Sequence, residues 1–277
     1  MDLSIIIVSW RVKELLEACL FSIVQQNFNF NYEVLVVDNN SGDGTVEMVR
    51  HNFPQVNLIA SQVNLGFAKA NNLALAQSRG KFLLLLNPDT KLIDDSLKDA
   101  LELMKQKPEI GVLGAKLLNY NLTVQPSVRR FPTLADHLLM LFKLHHLFPL
   151  KRYLALDFDY AKTQAVDQVM GAFFLFSRSL MEQIGKLDEK YYIWFEEVDY
   201  CRRAKAAGFK VVYFPQTKII HYSGASFKQV WNFKRQLIFS RSRLRYLRKH
   251  QSLVAYLLIL LLTPVSWLLS LIFHKNV

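Results

Sequence analysis

An α/β fold, with a mainly parallel sheet flanked by helices and an apolar helix at the C-terminal end, is what this 277-residue sequence predicts. Three observations carry the prediction. Short apolar, β-branched runs alternate with amphipathic stretches through the first third of the chain. Polar residues collect where those runs end. Near the C-terminus, Ser252 to Phe273 form 22 residues without a formal charge. Strands alternating with helices over short links imply right-handed crossovers and parallel pairing.

The elements follow in order. "LSIIIVSW" is a continuous apolar run, as expected of a strand covered on both faces. "KELLEACLFSIVQQ" places Leu15, Leu16, Cys19, Leu20 and Ile23 on one helical stripe. "YEVLVVDNNSGDGT" is a second buried strand running into a turn, and "TVEMVRHNF" a short helix. "VNLIA", "GFAKANNLALAQS" and "KFLLLLNPD" read as strand, helix and strand. After about Gly171 come a strand-like "GAFFLFSR", an acidic helix within "YIWFEEVDYCRRAKAAGF", and the strands "KVVYFP" and "KIIHYSG". Residues 117–168 carry the weakest pattern, and "HLLMLFKLHHLFPL" fits a core helix or a helix at a membrane surface equally well.

Charge is unevenly spread. Fourteen of the 34 basic residues and none of the 23 acidic ones follow Asp199, so the net charge of +11 belongs to the tail. "KRQLIFSRSRLRYLRKH" directly precedes the uncharged run, where the positive-inside rule and anionic headgroups favour a cytoplasmic location. As a helix the run would reach about 33 Å, enough for a bilayer core of about 30 Å. A span kinked at Pro264, a shallow hairpin hinged there and a soluble core helix all remain open at this point. The position of the basic stretch beside the apolar run excludes nucleic acid as the expected partner. Cys19 and Cys201 have no metal-type spacing and read as reduced structural thiols. "MDLSIIIVSW" is too short and lacks the basic leader of a signal peptide.

In open parallel sheets, ligands bind beyond the carboxyl ends of the strands. Asp38 stands at one such end and Asn87-Pro88-Asp89 at another. Either would serve a turn alone; two on one rim point to a site. No G-x-G-x-x-G follows the first strand and no phosphate-loop signature is present, which disfavours a dehydrogenase-type dinucleotide fold. A diphosphate ligand would then need a divalent cation held by a carboxylate. Asp89 fits as the ligand, and His221 supplies a nitrogen suited to Mn²⁺ as well as Mg²⁺.

"SIIIVSW", "VVDNNSGDGT", "NLGFAKANN", "LLLNPDT", "GAFFLFSR", "DEKYYIWFEEVDYCRRAKAAGF" and "IIHYSGAS" occur in this order. Together they resemble the inverting family 2 glycosyltransferases of GT-A fold, in the rhamnosyltransferase-like branch that builds bacterial surface polysaccharides. The resemblance spans residues 3–226. It implies that Ser9 and Asp38 contact the base and ribose of a nucleotide sugar, and that the loop at Asn64 and Gly66 approaches its sugar. The family's Asp-x-Asp appears as Asn87-Pro88-Asp89, with Asp89 and His221 the metal ligands and Asn87 a weaker contributor near the donor. The family's Glu-Asp pair appears as Glu196-Glu197. Glu197 holds the position of the catalytic base, which stays open between it and its neighbours Glu196 and Asp199. Arg203 matches an arginine near the phosphates, though its spacing also suits an ion pair with Asp199. Tyr192 and Trp194 would stack on the acceptor sugar.

The expected protein is thus a GT-A glycosyltransferase domain over 1–226, a basic juxtamembrane segment over 227–250 and a membrane-spanning or membrane-embedded helix over 251–273. It would use Mg²⁺ or Mn²⁺ to move a sugar, rhamnose from dTDP-rhamnose as the family-level expectation, onto a lipid-linked saccharide. It would act on the cytoplasmic side of the bacterial inner membrane, bound to anionic lipids. A polyprenyl-phosphate sugar synthase and a catalytically inactive membrane scaffold are the alternatives.

Overall fold

A computed structural model describes residues 1–223 and 231–272. Residues 224–230, which hold the end of the "IIHYSGAS" motif and the expected domain boundary at 226, lie outside the described residues, as does Phe273. The elements are β1 (Leu3–Ser9), α1 (Lys13–Val24), β2 (Tyr32–Asp38), α2 (Thr45–Asn52), β3 (Asn57–Ala60), α3 (Phe67–Leu75), β4 (Phe82–Leu86), β5 (Thr90–Leu92), α4 (Leu97–Gln106), β6 (Ile110–Leu118), β7 (Val128–Arg129), α5 (Leu134–Leu141), β8 (Gln164–Ala165), β9 (Gln168–Val169), β10 (Phe173–Ser177), α6 (Arg178–Ile184), α7 (Glu196–Ala206), β11 (Lys210–His221), α8 (Asn232–His250) and α9 (Leu253–Ile272).

The main sheet runs β3-β2-β1-β4-β10-β6-β11-β5. β1 pairs in parallel with β2 and β4, β2 with β3, and β6 with β11. The expected mainly parallel α/β sheet is therefore present, with one strand reversed in its middle: β10 lies antiparallel between β4 and β6. β1 shows why its sequence is apolar throughout. Ile5 and Ile7 face one core with α1, α2 and α4, whereas Ile6 and Val8 face the other with α3 and α7. A strand covered on both sides has no polar face to alternate with.

Two regions depart from the sequence reading. Residues 90–118, to which no element was assigned, form β5, α4 and β6. "KVVYFP" and "KIIHYSG" are one strand, β11, whose register against β6 slips between Phe214 and Lys218.

α5 starts at a reciprocal cap, Thr133 Oγ1 accepting from the Asp136 amide and Asp136 accepting from the Thr133 amide. It packs with α8 and α9 around Leu141, Leu247 and Ile259, whereas Leu147 and Phe148 beyond its end are exposed. α9 passes through Pro264 without dividing, so a hairpin hinged at that residue is not formed. α8 and α9 run antiparallel. Gln236 Nε2 donates to Ser266 Oγ at 3.1 Å, and Trp267 Nε1 donates to Ser240 Oγ at 3.2 Å.

One face of α8 packs on the globular domain. Ser242 Oγ donates to the Ile193 carbonyl at 2.7 Å, Arg202 donates to the Tyr246 hydroxyl at 2.9 Å, and Arg245 pairs with Asp188 at 2.7 Å. Arg245 and Lys249, two tail cations expected to meet anionic lipid, are thus committed to acids of the globular domain.

Candidate active site

The carboxyl ends of β1, β2 and β4 open into one cleft of about 490 Å³. Trp10, Asn39, Asn64, Gly66, Asn87 and Asp89 line its sheet side, Glu196 and Glu197 its far side, and Lys234 and Ile238 of α8 complete it.

Sheet register assembles the cation end. β5 and β11 pair antiparallel with Thr90 opposite His221, and the Tyr222 amide donates to the Asp89 carbonyl at 2.9 Å. Residues 132 positions apart therefore become neighbours, with His221 Nε2 3.4 Å from Asp89 Oδ1. Gln125 sets the tautomer. Its Nε2 donates to Asn119 Oδ1 at 3.1 Å, so its Oε1 accepts from His221 Nδ1 at 2.7 Å. In the neutral imidazole the Nε2 lone pair then faces the Asp89 carboxylate, an arrangement that a cation between them would stabilise. An oxygen and an imidazole nitrogen at this spacing fit Mn²⁺ or Mg²⁺. Among the described residues no group of three or more His, Cys, Asp or Glu side chains gathers to hold a metal. Such an ion would need further oxygens from water or from a phosphate-bearing ligand.

A second network shapes the loop at Asn64 and Gly66. Asn64 Oδ1 accepts from Asn39 Nδ2 at 3.0 Å, from the Gly66 amide at 3.0 Å and from the Tyr192 hydroxyl at 2.8 Å. Gly66 sits at φ 77°, and a Cβ there would lie 2.5 Å from the Tyr192 carbonyl oxygen. Only glycine permits that approach. Tyr192 thus spends its hydroxyl on this loop and offers a half-exposed ring to the cleft.

The acids stand in the first turn of α7. Trp194 and Phe195, just before it, both have left-handed backbones, φ 66° and 69°. Two such residues in succession cost on the order of 1 kcal/mol each or more and persist only where surroundings impose them. Here the imposing contacts come from α8: Phe239 and Tyr246 pack on the Phe195 ring, at 5.6 and 5.3 Å between centroids, and Ser242 holds Ile193.

Oε2 of Glu196 and Oε2 of Glu197 are buried without a hydrogen-bond partner. Burial raises both carboxyls above the usual range, and the Glu197 charge pushes Glu196 further. Glu196 is therefore the harder of the two to ionise, and Glu197 the readier to carry the pair's charge.

Two expected residues do not join this site. Asp199 is fully buried on the other side of the helix, with Arg203 at 2.8 Å, Lys249 at 2.7 Å and His250 at 2.7 Å. Burial alone would raise its pKa, but His250, Lys249 and Arg203 outweigh it and hold the group at about 2. It is a structural anion, not a base. Arg203 likewise turns from the cleft, donating to Asp199 and to the Ile184 and Lys186 carbonyls. The ion pair read from their spacing is what forms.

Ser9 and Asp38 are register partners at the ends of β1 and β2. They sit beneath the lining residues Val8, Trp10 and Asn39, with Ser9 Oγ and Asp38 Oδ1 buried and unpartnered. Trp194 lines the cleft beside Tyr192. Sequence reading missed Asn39, Gln125, Lys234 and Ile238. Asn39 lies inside the quoted "VVDNNSGDGT" and was legible; Gln125 falls in the patternless stretch, and nothing in the basic tail marks Lys234 or Ile238.

The sequence model of glycosyltransferase-like family 2 matches residues 2–237. The chain belongs to glycosyltransferase family 2. Among its relatives is the N-acetylglucosaminyl-diphospho-decaprenol L-rhamnosyltransferase of Mycobacterium tuberculosis, 27% identical over 70% of this chain and 67% of that one. Another is the rhamnosyltransferase WbbL of Escherichia coli, 26% identical over 70% of this chain and 74% of that one. Of the solved structures, the mannosyltransferase PcManGT of Pyrobaculum calidifontis, in complex with GDP-Man and Mn²⁺, superposes with a TM-score of 0.62 at 18% identity, covering 94% of this chain and 68% of that one. Staphylococcus aureus TarS 1–349 with UDP-GlcNAc gives 0.59 at 18% identity over 94% and 70%. The GT-A architecture and the glycosyltransferase assignment therefore hold for this enzyme, and one of its relatives, from Myxococcus xanthus, is named an O-antigen biosynthesis protein.

Proposed function

We propose that this glycosyltransferase uses a divalent cation to move a sugar, with inversion, from a nucleoside diphosphate to a lipid-linked saccharide at a membrane surface. One observation carries the reading: the Asp89–His221 pair and the unspent acids Glu196 and Glu197 share one cleft. Rhamnosyl transfer is the specific form supported by the relatives' names, one of which includes a diphosphate-linked lipid acceptor.

Ser9 and Asp38 offer free polar atoms to a base and ribose, and Asn64 and Gly66 shape the loop beside the sugar. Asp89 and His221 would hold the cation, whose chemistry is to neutralise charge on the departing diphosphate. Inversion requires an acceptor hydroxyl to approach opposite that group. Glu197 Oε2, lacking another partner, takes the hydroxyl proton as attack proceeds. Glu196, retaining its own proton, leaves that charge uncontested. Tyr192 and Trp194 give the acceptor sugar two rings to lie against.

α9 is the one helix among the described residues long and apolar enough to cross a membrane. Its packing supports an in-plane attachment instead. α8 contacts the far half of α9 at Ser266 and Trp267, and the same part of α8 lines the cleft through Lys234 and Ile238. An upright α9 would carry that cleft about 20 Å into the hydrocarbon, thirteen residues at 1.5 Å each. Lying flat, it presents Leu253, Leu257, Leu261 and Leu268 as an exposed apolar stripe.

The deciding experiment is Glu197→Gln. Transfer should fall by about 10²–10⁴-fold, the scale of a lost general base, while nucleotide binding measured by thermal shift persists. Equal loss of both would refute the assignment.

A further inference from the structure

We infer that a second cavity, between α5 and α8, is the headgroup site for a phosphorylated lipid, its phosphate held by Lys143 and Arg243. The cavity measures about 260 Å³ and is lined by Met140, Lys143, Leu150, Tyr153, Gln236 and Phe239, among others. Arg243 stands behind its Phe239 wall, with its guanidinium carbon 5.9 Å from that ring.

Arg243 is 1% exposed, yet its Nε and Nη2 have no hydrogen-bond partner. Lys143 Nζ has only the neutral Gln236 Oε1, at 2.8 Å. Burial lowers Arg243 to about 10 and Lys143 to about 8, and the arginine's charge adds to the lysine's fall. His137, fully buried with both ring nitrogens unpartnered, is driven to about 3 by burial and by Arg243. On the facing elements the acid whose charge reaches His137 is Asp136, and it is spent on the α5 cap and on Arg152, 3.8 Å away. Among the described residues no carboxylate pairs with Arg243 or Lys143. A buried guanidinium beside a partly buried ammonium, neither with a counter-ion, is costly unless an anion completes them.

The surroundings identify the anion's class. Met140, Leu150, Leu154 and Phe239 suit an apolar chain, and α8, which forms one wall, also packs along the exposed apolar α9. The cavity adjoins the catalytic cleft: Trp194, lining the cleft, meets Phe239, lining the cavity, at 5.8 Å between ring centroids. A phosphate anchored here would present the sugar attached to it to Glu197. This inference rests on the transfer reading above.

The test uses the full chain in detergent with farnesyl diphosphate as probe. Arg243→Met and Lys143→Gln should each weaken its binding at least tenfold, with inorganic diphosphate and farnesol binding far more weakly than the joined molecule. Unchanged affinity in both variants would overturn the site. Equally tight, Arg243-dependent binding of inorganic diphosphate would overturn the lipid, and of phosphatidylglycerol vesicles would overturn the acceptor assignment in favour of a phospholipid headgroup. Arg243→Met should unfold at no lower temperature than the parent without ligand, since it removes an uncompensated charge. A clear drop would make the guanidinium structural and overturn the proposal. Binding of dTDP or UDP to the parent is read separately: its absence would count against sugar transfer, not against this site.

Discussion

Glu196 and Glu197 are adjacent and chemically identical, yet their surroundings give them different work. Both are raised by burial, but only Glu196 bears the added repulsion of its neighbour's charge, which favours its protonated state. Glu196→Gln imitates that protonated state. It should therefore keep transfer within about tenfold of the parent, well short of the loss from removing a general base. It should also raise the unfolding temperature near neutral pH. The sign follows from linkage: a carboxyl raised on folding costs stability as pH climbs above its unfolded value of about 4.3, and the amide removes that cost. The parent's kcat/KM should fall on acidification at a pH above the ordinary carboxylate range, as Glu197 takes up a proton. An acid limb near pH 4 would contradict the buried pair.

At the level of elements, the basic helix α8 is the part the sequence disguises. Its charge and its position before an apolar run suggest a lipid-facing linker, whereas its side chains brace the left-handed turn before α7 and neutralise two acids of the domain. Asp199→Asn should cost roughly 3 kcal/mol in urea unfolding, because it leaves Arg203 and Lys249 without their shared buried anion. The stabilisation from Asp199 is present above the unfolded carboxylate value of about 4 and is lost as pH falls toward about 2, so the Asn variant should lack this acid slope. β1, β2 and β4 were legible because strands buried on both faces must be apolar throughout, and the rim residues Asp38 and Asp89 because turns follow them. The ion pair of Asp199 and Arg203 was legible from their spacing, but the site roles implied by the resemblance misled, because spacing on a helix does not say which side of α7 faces the cleft. Gln125 and β5 were illegible for another reason. They act by long-range pairing, with His221 and β11, and leave no local periodicity.

For the molecule as a whole, the proposed membrane attachment and the proposed chemistry meet on one hairpin, α8 and α9. Substituting glutamate at Leu257 and Leu261, which are 50% and 76% exposed, should release the protein from phosphatidylglycerol vesicles in a flotation assay. The unfolding temperature should hold, because neither side chain is buried in the helix packing. Retention on the vesicles would move the membrane face elsewhere. The far wall of the cleft is fixed differently. Where Gly66 touches the Tyr192 carbonyl there is not room for one extra carbon atom. That seam welds the donor loop to the strand of chain bearing the acids, so the cavity has no hinge on this side. A lone methyl group at position 66 would act as a crowbar, prying the sugar-nucleotide half from the proton-accepting half without altering a single reactive group.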